Sequence, residues 1–174
     1  MAENLKVTHY NNGDSLEHGN FFTITPGYIY YDLHQEGQSE YNEPYNSETY
    51  GLLYNFYAAD EYRGLCAEGW HLPSDEEFME LEMELGMLES ETTQQGVWRG
   101  DLSGVDYNVG GKLKSTTDDW IQNNAGATNE SGFTALPGGY KGYNSSTTNG
   151  MGNSAHIWTS GEVDWQHGWY RQLA

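Results

Sequence analysis

A chain of 174 residues and 19.6 kDa suits one domain and is long enough to bury a core. It carries 26 Asp and Glu against 7 Lys and Arg, a net charge of −19, and a mean hydropathy of −0.78. That balance excludes nucleic acid as a partner, because a phosphate backbone would be repelled. No apolar run reaches the length of a membrane-spanning helix, so insertion into a membrane is excluded as well.

The first fifty residues alternate short β-prone pieces with turn residues. In "NFFTITPGYIYYDL" (20–33), Phe, Ile, Thr and Tyr favour a pleated surface and Pro26-Gly27 predicts a turn between two strands. "SEYNEPYNSETYG" (39–51) is polar and Tyr-rich and reads as loop. In "LLYNFYAAD" (52–60), Leu53, Phe56, Tyr57 and Asp60 recur at helical spacing, which predicts a short helix. A stronger helix follows. Ser74 with Glu77 three residues later is a capping box, and acids at 75–77 suit the positive end of the helix dipole. Phe78, Leu81, Leu85 and Leu88 then form one apolar stripe flanked by Met79, Met83 and Met87. From residue 90 to 155 Gly, Asn, Ser, Thr and Asp dominate, which predicts short strands between long ordered loops.

Several constellations resemble chemistry without its spacing. Cys66, Glu68 and His71 place thiol, acid and imidazole in one span, but a nucleophile needs its base within hydrogen-bond reach in the fold. The better reading of 64–78 is a joint between helices, with Trp70 and Leu72 packed inward, Pro73 setting the entry, Ser74 capping and Phe78 in the core. One cysteine permits no internal disulfide. "VGGKLKS" (109–115) has Asp106 where a phosphate loop needs glycine, and Leu113 where it needs Ser or Thr. It reads as a Gly turn into a strand with outward lysines. The six histidines lack metal-ligand spacing. No cofactor is implied; Ca²⁺ at Asp118, Asp119, Asn123 and Asn124 is the one cation site weighed, and its spacing does not match an EF-hand loop.

"HIWTSGEVDWQHGWYRQ" (156–172) differs in kind, because Trp and Tyr sit there among hydrogen-bonding side chains, as they do on recognition surfaces. Trp158 is expected in the core. Trp165, His167, Trp169, Tyr170 and Arg171 are candidate ligand contacts, with Glu162 and Asp164 as hydrogen-bond acceptors.

Six segments, "MAENLKV" (1–7), "YGLLYNFYAA" (50–59), "RGLCAEGWHLPSDEEF" (63–78), "GGKLKS" (110–115), "GATNESGFTALPGGY" (126–140) and "IWTSGE" (157–162), together resemble the Fibrobacter succinogenes major paralogous domain, a family of bacterial extracellular modules. "HLPSDEEF" is also similar to the helix opening of formylglycine-generating-enzyme-type domains. The resemblance implies an α+β, C-type-lectin-like fold over one domain, 1–174. That fold has two short helices, a small twisted antiparallel sheet and a long irregular loop region. Diversity-generating variable proteins that use this fold place their ligand contacts near the stretch matched by 158–171. Two aromatic positions depart from the pattern: Phe56 and Phe78 stand where the family usually has Trp. The family also usually runs on beyond the segment matched by "WYRQL" to strands carrying a second cysteine. The resemblance therefore implies absent outer terminal strands, no partner for Cys66, and an open sheet edge covered by another chain or a second copy.

The expected function is a non-catalytic binding or adhesion module for a glycan or protein ligand, extracellular, on a bacterial surface or on a virion. "MAENLKVTHY" lacks the basic start and apolar middle of a signal peptide. A structural or decoration subunit is the alternative, and a carboxylate-dependent hydrolase is a third reading for which no acid pair is singled out.

Overall fold

Asn55 organises the first half of the chain. Its buried side-chain oxygen accepts from Ala58 N at 2.9 Å, capping a helix, and from Gly27 N at 3.1 Å, while its amide donates to Thr25 O at 2.8 Å. A buried amide has to be satisfied in this way, and here that requirement pins one helix against one strand. The computed structural model of the chain describes residues 3–19, 24–31, 43–99, 107–121, 124, 126–143, 145, 147–164 and 166–174, with side chains in the first helix from residue 47 onward.

In chain order the elements are β1 (Glu17–His18), β2 (Gly27–Ile29), α1 (Glu43–Tyr50), β3 (Leu53–Tyr54), α2 (Phe56–Ala59), α3 (Asp75–Glu84), α4 (Glu89–Thr92), α5 (Val109–Leu113), β4 (Gly138–Lys141), β5 (Thr148–Met151), β6 (Ala155–Asp164) and β7 (His167–Leu173). They form two sheets. The first has the order β1-β2-β3, with β1 and β2 parallel and β2 and β3 antiparallel, and it is open. The second is a curled sheet of order β5-β4-β6-β7, in which β4 and β6 run parallel and the other pairs antiparallel. Trp158 on β6 donates its indole N–H to Tyr54 O on β3 at 2.9 Å, which links the sheets.

Two apolar cores sit beneath them. Tyr10, Leu16, Tyr28, Leu52, Ala58 and Leu65 form one; Met87, Val109 and Leu113 form the other, with Leu81, Leu85, Phe133 and Leu173 packed around it. A chain this poor in aliphatic residues uses tyrosine as core material: the rings of Tyr10 and Tyr28 are buried.

The C-type-lectin-like expectation of two short helices and one small antiparallel sheet is overturned. Among the described residues there are five helices, of which α3 is the longest, and two separate sheets that both contain a parallel pair. Four of the helices are eight residues or shorter, too brief for apolar periodicity to reveal them. The 39–51 loop expectation fails in this way, since α1 occupies Glu43–Tyr50. Of the predicted turn between two strands at Pro26-Gly27, Gly27 begins β2, whose described neighbour β1 runs parallel to it, while residues 20–23 of the expected preceding strand lie outside the described residues. "VGGKLKS" is mostly helix α5, and Lys114 is buried with its ammonium 4.2 Å from the centre of the Trp120 ring, not an outward strand lysine. The α3 capping box is present as read: Glu77 N donates to Ser74 Oγ at 3.2 Å and Ser74 N to a Glu77 carboxylate oxygen at 2.7 Å.

Candidate functional site

β6 and β7 pair antiparallel from Ala155↔Leu173 to Asp164↔His167, with irregularities on either side of Glu162. Side chains alternate along each strand, so the ribbon has two distinct faces.

One face carries a row of rings. Trp158 lies opposite Tyr170 in the register, with ring centres 5.8 Å apart and edge to face. His156 stacks on Tyr170 at 5.4 Å and meets Tyr140 of β4 at 4.5 Å. At the inner end Trp158 packs on Phe56 of α2 at 5.6 Å. Phe56 lies directly on the backbone of Gly168: a Cβ there would come within 2.1 Å of the ring, so only glycine fits. The row therefore runs from a buried end at Phe56 to an open end, where Tyr170 is 48% and Tyr140 38% exposed. His156 Nε2 is buried with no hydrogen-bond partner among the described residues, and burial pushes the imidazole down to about 4. It is neutral at ordinary pH.

The other face is ionic. Arg171 Nη1 pairs with Asp75 at the start of α3, and its Nε donates to Glu82 Oε1 at 3.2 Å. Arg99 grips the same Glu82 through both oxygens, at 2.8 and 3.0 Å, and also donates to Gln94 O at 3.1 Å and to Thr92 O. Burial pushes the Glu82 carboxyl above its ordinary range, and the two guanidiniums oppose that.

At the hairpin end Asp164 Oδ1 accepts from Gln166 N at 2.8 Å and lies 2.7 Å from His167 Nδ1. The Gln166 N–H first, then His167, hold this carboxyl below its ordinary range. Glu162 is exposed nearby on β6.

The structure thus divides the predicted contact residues. Tyr170 belongs to the ring row, while Trp169 and Arg171 alternate onto the opposite face, where Arg171 is locked to α3 and unavailable as a free contact. Glu162, Asp164 and His167 sit toward the hairpin end, and Trp165 lies outside the described residues. Trp158 is half-buried inside the row. Sequence reasoning missed Tyr140 and His156. The i, i+2 spacing of His156 and Trp158 signals a shared strand face, but Tyr140 joins them only through the parallel β4–β6 pairing at Gly139↔Ala155.

The 64–78 joint needs one correction. Trp70, expected to pack inward, is 64% exposed, while Leu72 and Pro73 are half-buried and Phe78 is buried. Trp70 closes a turn ahead of α3, its N–H donating to Ala67 O at 2.9 Å. His71 Nε2 bonds to the Glu77 carboxylate at 2.9 Å, and burial raises the Cys66 thiol, the opposite of what a nucleophile needs. Of the weighed cation site, Asp119 has one oxygen 3.2 Å from the Tyr50 hydroxyl and the other 2.5 Å from Thr117 Oγ1; Asn123 lies outside the described residues. Among the described residues no group of three or more His, Cys, Asp or Glu is placed to hold a metal ion, and no helix is long and apolar enough to cross a membrane.

With this geometry in place, the comparison with known families is specific: the chain belongs to the Fibrobacter succinogenes major domain family, which it matches over residues 1–174. No curated protein and no solved structure matches it.

Proposed function

We propose that the chain is a non-catalytic binding or adhesion module, extracellular at a bacterial surface or on a virion, that recognises a glycan or protein ligand through the aromatic and polar surface of β4, β6 and β7. The observation that carries this reading is the ring row, which crosses three strands and opens to solvent at Tyr140 and Tyr170. Rigid aromatic side chains present large contact area at little entropic cost, and a phenol adds a hydrogen-bonding group. Tyr140 and Tyr170 are the principal contacts in this reading, and Glu162, Asp164 and His167 supply polar groups further along the ribbon. The test is binding of the purified chain to a broad glycan panel, with Ca²⁺ and with chelator. Binding lost on Tyr170→Ala with an unchanged melting temperature is the expected outcome. Unchanged affinity in that variant overturns the assignment.

A structural subunit is the companion reading, in which a protein chain or a second copy covers a sheet edge. It is favoured by the open three-stranded sheet and by β7 being the outer strand of the second sheet.

A further inference from the structure

The rings of the row stand in the order of the strands that carry them: Tyr140 on β4, His156 on β6 and Tyr170 on β7. Neighbouring rings lean 34° and 27° from parallel, so each covers one face of the next. The far side of Tyr140 is covered too, because its ring lies over Gly150 of β5, where an added Cβ would come within 3.2 Å. Tyr170 ends the ladder. Among the described residues no strand follows β7, and the ring is exposed, so its outward face meets solvent.

Electrostatics narrow what lands there. The face of a tyrosine ring is the negative side of its quadrupole and attracts a cation. His156 behind it is neutral, and Arg171, the next residue in the chain, is held on the opposite face by Asp75 and Glu82. Glu162 adds a full charge. It lies opposite Gly168 in the register, and opposite residues of an antiparallel pair share a face. Gly168 is two residues from Tyr170, which sets the carboxylate about 7 Å along the strand from the ring. Glu162 is exposed and makes no hydrogen bond or ion pair among the described residues. In a molecule of charge −19 the chain's own cations are engaged elsewhere: Arg63 with Asp14 and Glu61, Arg99 with Glu82, Lys112 and Lys114 with backbone carbonyls. A ring face with a carboxylate one side chain away matches arginine, whose flat head stacks on an aromatic ring while its N–H groups reach an acid. An uncharged sugar gains nothing from the charge of Glu162.

We infer that the outward face of Tyr170 and the Glu162 carboxylate form a site for an arginine side chain of a partner protein. This rests on the ring-row reading and names its ligand as a basic protein segment.

The experiment screens a display library of random peptides against the full chain at physiological salt, and the selected peptides are synthesised as probes. Each is expected to carry arginine, and replacing that arginine by citrulline, its uncharged isostere, should weaken binding at least roughly tenfold. Tyr170→Leu should weaken it roughly fivefold, whereas Tyr170→Phe, which keeps the ring face, should bind like the unaltered chain. Glu162→Gln should also weaken it, and Glu80→Gln, an equal change of charge at an exposed position of α3, should not. Glu162 is exposed, so its variant is expected to fold and carries the test if Tyr170→Leu melts early. The inference is overturned if no peptide is selected, if the selected peptides lack arginine, or if citrulline is accepted equally well. It is also overturned if Tyr170→Leu or Glu162→Gln leaves affinity unchanged, which would mean diffuse attraction to an acidic chain. Selection of no peptide, together with glycan binding that is lost on Tyr170→Ala, overturns this inference and leaves the ring-row reading standing.

Discussion

On one face of the β6–β7 ribbon, Arg171 is held by Asp75 and Glu82 and ties the strand to α3; on the other, Tyr170 lies against His156 and Trp158 in a row of neutral rings. The ionic face is directional. A guanidinium has fixed donor vectors, and a buried carboxylate left without them carries an uncompensated charge. The ring face depends on contact area and tolerates small shifts, because stacking is broad in geometry. One strand thus has a clamped side and an adaptable side.

The largest effect should come from the clamp. Glu82→Ala removes the shared acceptor of Arg99 and Arg171 and leaves two largely buried guanidiniums facing each other. Breaking one side of a buried ion pair costs about 3–5 kcal/mol, so the urea midpoint should fall sharply. A loss below about 1 kcal/mol would mean that solvent replaces the carboxylate, as at exposed pairs, and the contrast between the faces would fail.

The clamp was only half legible in the sequence. Ser74 and Glu77 lie within one helical turn, so their capping box is a local fact that sequence alone specifies. Arg171 and Glu82 are 89 residues apart, and no local pattern joins them. The same separation explains the split of the predicted contact set. The aromatic and polar character of residues 162 to 171 is legible in the sequence, but which of Trp169 and Tyr170 joins the rings depends on the register of β7 against β6 and on Arg171 reaching α3. Trp70 fails for a related reason: an aromatic inside a motif looks like core, yet burial is decided by what packs across from it.

Gly168→Ala probes the buried end of the ring row. The new methyl would meet Phe56, which is already packed on Trp158, and overpacking of this kind costs about 1–3 kcal/mol. Trimming the ring in a Phe56→Leu/Gly168→Ala double variant should recover part of that loss, because residues in contact couple. A fully additive cycle would show that the ring does not rest on this glycine.

Acid should act on the ring face through His156. Its folded value, about 4, lies below the ordinary 6.5. Between those values the unfolded chain takes up a proton that the folded chain refuses. The stability held by the neutral ring is therefore complete above pH 6.5 and declines as pH falls toward 4. Allowing for the part of the ring that meets water, the loss is about 1–2 kcal/mol. His156→Phe should flatten this segment of the pH–stability curve. An unchanged slope would mean that the imidazole is solvated in the folded chain.

Ser74→Ala has the smallest expected effect, and it discriminates between the faces most cleanly. The hydroxyl accepts from Glu77 N at the first turn of α3, and losing an N-cap of this type costs about 1 kcal/mol. Asp75, the first residue of that helix, is the partner of Arg171. Fraying should therefore loosen the ionic face while leaving the rings alone, and exchange should quicken at the amides of Asp75, Glu76 and Glu77. The decline between pH 6.5 and 4 should keep its slope, because no hydrogen bond or ring contact of His156 runs to α3 among the described residues. If the slope changed with the cap, the two faces would be one cooperative unit, and a ligand bound at Tyr170 would be felt at Glu82.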